Sequence, residues 1–110
     1  MKVGVYAICL DEARHVGPWL ESVLAEQDID EIVVLDTGST DGTLDTLASV
    51  EDARFRLRRA GISPWRFDDA RNAALSYVSA DIDVVLSLDL DERMSAGWAT
   101  IVRQHWRPPH

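Results

Sequence analysis

The sequence predicts an α/β protein built on a mainly parallel sheet flanked by helices. Strand-like and helix-like patterns alternate along the chain, and the strand-like runs are nearly all apolar, as in strands covered on both faces. Three of the four predicted strands end in polar clusters, "LDE" at 10–12, "DTGSTDGT" at 36–43 and "DLDE" at 89–92. In an open α/β sheet, ligands bind beyond the carboxyl ends of the strands, so this fold would gather all three clusters at one edge.

Each element follows from its local pattern. "KVGVYAICL" is apolar and β-branched, which suits a buried first strand. "VGPWLESVLAEQ" places Pro18 near a helix start and spaces Trp19, Val23 and Leu24 for one helical face. "EIVVLD" has strand length, and the Gly, Ser, Thr and Asp residues after it suit a turn with Thr40 or Asp41 as the N-cap of a short helix, "TLDTLASV". In "ARFRLRRA" arginines alternate with Phe55 and Leu57 at period two, so Arg54, Arg56 and Arg58 read as one solvated strand face. "FDDARNAALSYVSA" is Ala-rich and helical, and "DVVLSLDL" is the fourth buried strand. Right-handed crossovers should join the strands.

Composition narrows the possibilities. With 110 residues, 46% of them apolar, the chain can build one core but not two, so residues 1–110 are expected to form a single domain. A formal net charge of −8 argues against the basic surface that nucleic acid requires. The single cysteine, Cys9, lies in an apolar run as a small buried hydrophobe and cannot form an internal disulfide. That run is too short to span a bilayer, so the expectation is a soluble cytoplasmic protein without a transmembrane segment. His15, His105 and His110 lack metal-ligand spacing, and Trp65, Trp98 and Trp106 read as packing residues.

The polar clusters carry the chemistry. "DTGSTDGT" is no P-loop, which needs G-x-x-x-x-G-K-S/T, and no EF-hand, because Gly38 and Thr40 stand where oxygen-rich side chains are required. It is either a strand-to-helix turn alone or a ligand loop in which Asp36, at a buried strand end, accepts hydrogen bonds from a base or ribose. In an extended "LDLDE", Asp89 and Asp91 point the same way while Leu90 returns to the core. The pair is either half of an Mg²⁺ or Mn²⁺ site completed by substrate phosphates, or a solvated acidic turn with Glu92 capping a following helix. Arg71 either pairs with Asp68 three residues earlier or offers its planar fork to a diphosphate.

The segments "ICLDEA", "DEIVVLDTGSTDGT", "WRFDDARNAAL" and "VVLSLDLDE" occur in the order and approximate spacing of inverting family-2-like glycosyltransferases, which the chain resembles over about residues 3 to 98. The Asp-Thr-Gly-Ser-Thr-Asp string resembles one branch of that family in particular. The resemblance implies a Rossmann-like GT-A nucleotide-diphospho-sugar transferase fold, here short or truncated. It implies that Leu10, Asp11 and Glu12 border the base of a nucleotide-sugar donor, with a UDP-sugar expected, and that Asp36 hydrogen-bonds uracil or ribose. Arg71 would approach the phosphates. Asp89 and Asp91 would form the D-x-D pair, with Asp89 toward the ribose and Asp91 on Mn²⁺ or Mg²⁺.

The departures shape the expectation. Family members usually read Asn-Glu-Glu where this chain has Asp11-Glu12-Ala13, and Thr37 replaces the second Asp of the commoner string. Full members continue past the D-x-D pair into an acceptor-binding half that supplies the general base, so no catalytic base is assigned here. The chain is expected to be a nucleotide-sugar-binding half, a truncated chain, or a minimal enzyme completed by a second copy, with a saccharide or other hydroxyl acceptor. Two rivals remain. One is a D-x-D phosphatase of the haloacid dehalogenase type, which lacks its later lysine and acidic motif in the short tail. The other is a binding module that holds a nucleotide diphosphate without turnover.

Overall fold

The computed structural model describes residues 1–61, 66–92 and 96–105. Along them run β1 (Val3–Cys9), α1 (Ala13–Leu24), β2 (Glu31–Asp36), α2 (Thr43–Ala48), β3 (Phe55–Arg59), α3 (Phe67–Ser76), β4 (Val84–Ser87) and α4 (Trp98–His105). The four strands pair in the order β3-β2-β1-β4, and every pairing is parallel. The chain steps outward from β1 to β3, then crosses back to lay β4 on the other side of β1. That reversal makes the carboxyl end of β1 a topological switch point, where an open α/β sheet leaves a crevice.

Both faces of the sheet are covered, which explains why β1 and β2 are apolar at almost every position. Val5, Ala7, Ile32 and Val34 face one side, beneath Val16, Trp19, Leu20 and Val23 of α1, with Leu47 of α2 and Trp98 of α4 in the same cluster. Their neighbours Tyr6, Val33 and Leu35 face the other side, against Ala74 of α3. Successive strand residues point to opposite faces, so two buried faces demand a continuous apolar run. Each fully buried Val or Leu in these layers contributes roughly 1.5–3 kcal/mol relative to leaving it in water. On α3, the sheet-facing Ala70 and Ala74 are wholly buried, and their small side chains let the helix lie close to the strands.

Several local expectations are corrected. Helix α1 begins at Ala13, so Pro18 lies inside it and not near its start. The missing N–H leaves the carbonyl of exposed Arg14 to water, which limits the cost. The three alternating arginines do not form one solvated face. Arg54 precedes β3 and clamps the end of α1: Nη1 donates to the carbonyls of Glu26 (2.7 Å) and Ile29 (3.2 Å), and Nη2 to that of Leu24 (3.0 Å). Asp52 holds the same guanidinium through Nε and Nη2, at 3.0 and 2.9 Å. Carbonyls at a helix end lack partners within the helix, and this demand overrides the strand pattern. Arg56 is exposed, whereas half-buried Arg58 lies over the Tyr77 ring, 5.7 Å from its centroid.

Helix α4 has its own cap. The buried carboxylate of Glu26 accepts the backbone N–H groups of Gly97 (3.3 Å) and Ala99 (3.2 Å), placing an acid where the helix dipole favours one. Trp98 is buried, as a packing residue should be, while Trp65, Trp106, His110 and the side chain of His105 lie outside the described residues. No helix among the described residues is long and apolar enough to cross a membrane.

Candidate functional site

The parallel order brings the ends of all four strands to one edge. Cys9 of β1 is level with Asp36 of β2, and Asp36 with Arg59 of β3, while Ser87 of β4 is level with Tyr6. Leu10–Glu12, Thr37–Thr43 and Leu88–Glu92 therefore leave the sheet on the same side, as the polar strand ends predict.

The first two loops are laced together. The backbone N–H of Asp11 donates to Ser39 Oγ at 2.8 Å, and Asp11 Oδ1 accepts the N–H of Thr40 at 2.7 Å. The N–H of Glu12 donates to Thr43 Oγ1 at 2.9 Å, and that of Ala13 to Asp41 Oδ2 at 3.1 Å. These bonds hold Asp11 at φ 52°, a left-handed conformation that asparagine and aspartate tolerate better than most residues. The second loop turns at Gly38 (φ 125°) and Gly42 (φ 100°), where a side chain would be strained. Gly42 occupies the N-cap of α2, in place of the expected Thr40 or Asp41. Asp41 instead accepts both the N–H and the Oγ1–H of Thr43, and these bonds hold its carboxyl below the usual carboxylate range.

Asp36 is 1% exposed at the centre of this lacework. Its Oδ1 accepts Ser39 Oγ–H at 2.5 Å and the Cys9 thiol at 3.6 Å, and the Ser39 N–H is shared between Oδ1 and Oδ2 at 3.3 and 3.2 Å. Burial, reinforced by the Asp36 charge, pushes the Cys9 thiol upward, so it remains a protonated donor. Cys9 is thus the small buried residue expected, with one polar duty. Asp36, Thr37, Gly38, Arg59, Ala60 and Gly61 line a cavity of about 190 Å³. Leu10 stands at the end of β1 with 49% of its surface exposed, an apolar platform at the switch point.

The β4 end is built differently. The strand stops at Ser87, and Asp89–Glu92 form a turn closed by the Glu92 N–H donating to the Asp89 carbonyl at 2.9 Å. The in-and-out alternation persists, with Leu88 and Leu90 buried and Asp89 and Asp91 exposed. Glu92 Oε1 accepts the Asp89 N–H at 2.9 Å, and the residues that Glu92 would cap, 93–95, lie outside the described ones. The turn is anchored from below by Trp19, whose indole N–H donates to the Leu88 carbonyl at 3.1 Å. Partial burial, with Glu92 and Asp91 nearby, raises the Asp89 carboxyl above its ordinary value. A cation would relieve that crowding, and exposed carboxylate oxygens are the donors Mg²⁺ and Mn²⁺ take, so the residues fit a divalent ion. Among the described residues, no group of three or more His, Cys, Asp or Glu side chains is placed to hold a metal ion, so the pair by itself offers two carboxylates and no more.

Arg71 is exposed on α3, and it makes no ion pair with Asp68 among the described residues. Sequence patterns passed over Ser39, Asp41 and Thr43 as the fasteners between loops, Trp19 as the tether of the acidic turn, and Arg59 as a neighbour of Asp36. Asp41 entered the sequence reading only as an N-cap and Trp19 only as a helix-face residue, while Arg59 directly follows the alternating Arg54, Arg56 and Arg58 and breaks their period.

Comparison with known proteins places this arrangement. The sequence matches the profile described as "Glycosyl transferase family 2" over residues 5–109. It is 33% identical over 95 residues to the lipopolysaccharide core biosynthesis glycosyltransferase LpsC of Rhizobium meliloti (strain 1021), covering 86% of this chain and 33% of that protein. Among solved structures, the mannosyltransferase PcManGT from Pyrobaculum calidifontis, in complex with GDP-Man and Mn²⁺, superposes with a TM-score of 0.78 at 24% identity, over 97% of this chain and 33% of the other. S. aureus TarS 1-349 in complex with UDP-GlcNAc superposes with a TM-score of 0.71 at 22% identity, over 96% of this chain and 32% of the other. The chain thus spans about a third of the length of these relatives and shares their GT-A, Rossmann-like architecture.

Proposed function

Because the chain belongs to glycosyl transferase family 2, we propose that it binds a nucleotide-diphosphate sugar, a UDP-sugar, at the carboxyl edge of the sheet and transfers the sugar with inversion to a hydroxyl acceptor. The observation that carries this reading is that one edge of the sheet holds both a buried carboxylate beside a cavity, at the ends of β2 and β3, and an exposed carboxylate pair on a tethered turn after β4. The base lies against Leu10 and the Asp11–Glu12 backbone, and Asp36 accepts its N–H. Arg71, uncommitted to any described partner, meets the diphosphate, for which its planar fork is suited. Asp89 points toward the ribose, and Asp91, with Asp89, holds Mn²⁺ or Mg²⁺. When bound, the ion supplies Lewis acidity toward the departing diphosphate. Mn²⁺ accompanies GDP-Man in the mannosyltransferase of the same fold, which supports the ion as cofactor. The formal net charge of −8 supports a single domain that does not bind nucleic acid, and a cytoplasmic location is part of the same proposal.

A second reading, donor binding without transfer, is favoured by the engagement of Glu92, the acid nearest the pair, with the Asp89 N–H. An inverting transfer needs a base at the acceptor oxygen. Calorimetric titration of UDP, with GDP and dTDP as controls and with and without Mn²⁺, tests the donor site. Metal-dependent binding that favours UDP is expected, and no binding of any nucleotide would overturn the reading. Whether sugar then leaves a UDP-sugar in the presence of the chain separates transfer from binding alone.

A further inference from the structure

Asp36 and Arg59 are register partners on adjacent parallel strands and line one cavity, yet no ion pair joins them, and Arg59 has no hydrogen-bond or ion-pair partner among the described residues. A buried acid and a free arginine at neighbouring strand ends would ordinarily close on each other. Their separation leaves room between an acceptor and a donor. The acceptor is incompletely satisfied: Oδ1 of Asp36 takes Ser39 Oγ–H and the Cys9 thiol, whereas the one described donor to Oδ2 is the shared Ser39 N–H at 3.2 Å. A carboxylate 1% exposed with an open lone pair calls for a donor from a ligand. At about 190 Å³, the cavity is below the roughly 300–1,000 Å³ of drug-sized sites and suits a single planar ring system.

We propose that Arg59 is a specificity-determining residue that reads the nucleobase together with Asp36, selecting bases that carry a ring N–H directly beside a carbonyl. Asp36 Oδ2 accepts the ring N–H, and the Arg59 guanidinium donates to the adjacent carbonyl oxygen. Uracil and thymine offer that pair at N3 and guanine at N1. Cytosine and adenine carry a bare nitrogen at the corresponding ring position, which would set lone pair against lone pair in front of a buried carboxylate. A site built around such a hydrogen bond discriminates strongly, because the wrong base leaves buried polar groups unpaired.

This inference rests on the donor-binding reading, and the experiment separates the two. UDP, GDP, CDP and ADP are titrated calorimetrically in Mn²⁺ into the wild-type chain and into Arg59→Ala, with thermal melts confirming that the variant is folded. Arg59 is exposed at the end of an edge strand, so its removal should leave the melt unchanged. The expected result is that wild type prefers UDP and GDP to CDP and ADP by about tenfold or more, and that Arg59→Ala loses part of that preference by weakening UDP and GDP alone, the remainder being kept by Asp36. Equal weakening of all four would make Arg59 a phosphate contact and overturn the proposal while leaving donor binding intact; an unchanged preference would overturn it as well. Failure of wild type to bind any of the four would overturn the donor reading and this proposal with it.

Discussion

The two ends of the sheet treat charge in opposite ways. At the amino end and beneath it, charged groups are matched. Arg103 meets Asp30 at 2.6 Å and Asp28 at 3.5 Å and donates to the Met1 carbonyl, Arg54 is shared among Asp52 and three carbonyls, and Lys2 pairs with Asp81. At the carboxyl end, Asp89 and Asp91 crowd each other, Arg59 has no side-chain partner among the described residues, and Asp36 keeps an open lone pair. Charge that serves the fold is compensated within the chain. Charge left uncompensated on a well-built edge supports the ligand site proposed there.

This division should be visible when each end is perturbed. The largest effect on stability is expected from Arg54→Ala, which strips the carbonyls of Leu24, Glu26 and Ile29 of their donor and should lower unfolding free energy by about 3 kcal/mol in urea titrations. UDP affinity of the folded protein should not change; a loss of affinity would break the division. Asp91→Ala should do the reverse, weakening Mn²⁺-dependent UDP binding about a hundredfold, about 2.7 kcal/mol, with the urea midpoint unmoved. Wild-type affinity in Mn²⁺ would remove Asp91 from the metal site.

Acid gives a subtler probe. Hydrogen bonds from Arg54 hold the Asp52 carboxyl down at about 2. A carboxylate with a depressed folded value contributes stability that is fully present above about pH 4 and lost as pH falls toward 2. Unfolding free energy should therefore decline over that window, and Asp52→Asn should flatten part of the decline; an identical acid limb in the variant would contradict the pairing. The smallest effect belongs to Lys2→Ala. Its ion pair with Asp81 is exposed on both sides, so Tm should stay where it is, and a clear drop would show that even solvated pairs at the amino end matter to the fold.

Much of the fold was legible because it rests on periodicity. Continuous apolar runs in β1 and β2 follow from a sheet buried on both faces, and the Ala-rich stretch of α3 from a helix lying close to it. Helix α4 was not legible, because its cap is Glu26, more than seventy residues away in sequence. Arg54 misled for a related reason: the period-two pattern of "ARFRLRR" is real, but the end of α1 claims its first arginine through contacts that no local pattern records.

The sequence by itself determined that four strands alternate with helices, that their polar ends share an edge, and that carboxylates stand there, since side-chain period and strand direction dictate those placements. Only the tertiary structure decided how each polar group is used. It showed that Asp36 is buried and half-satisfied, that Ser39, Asp41 and Thr43 stitch two loops together, that Trp19 tethers the acidic turn, and that Arg59 comes level with Asp36 without an ion pair between their side chains. Hydrogen bonds and unmet charges depend on which atoms lie within about 3 Å of one another, and strand register and crossover packing set those distances across tens of residues.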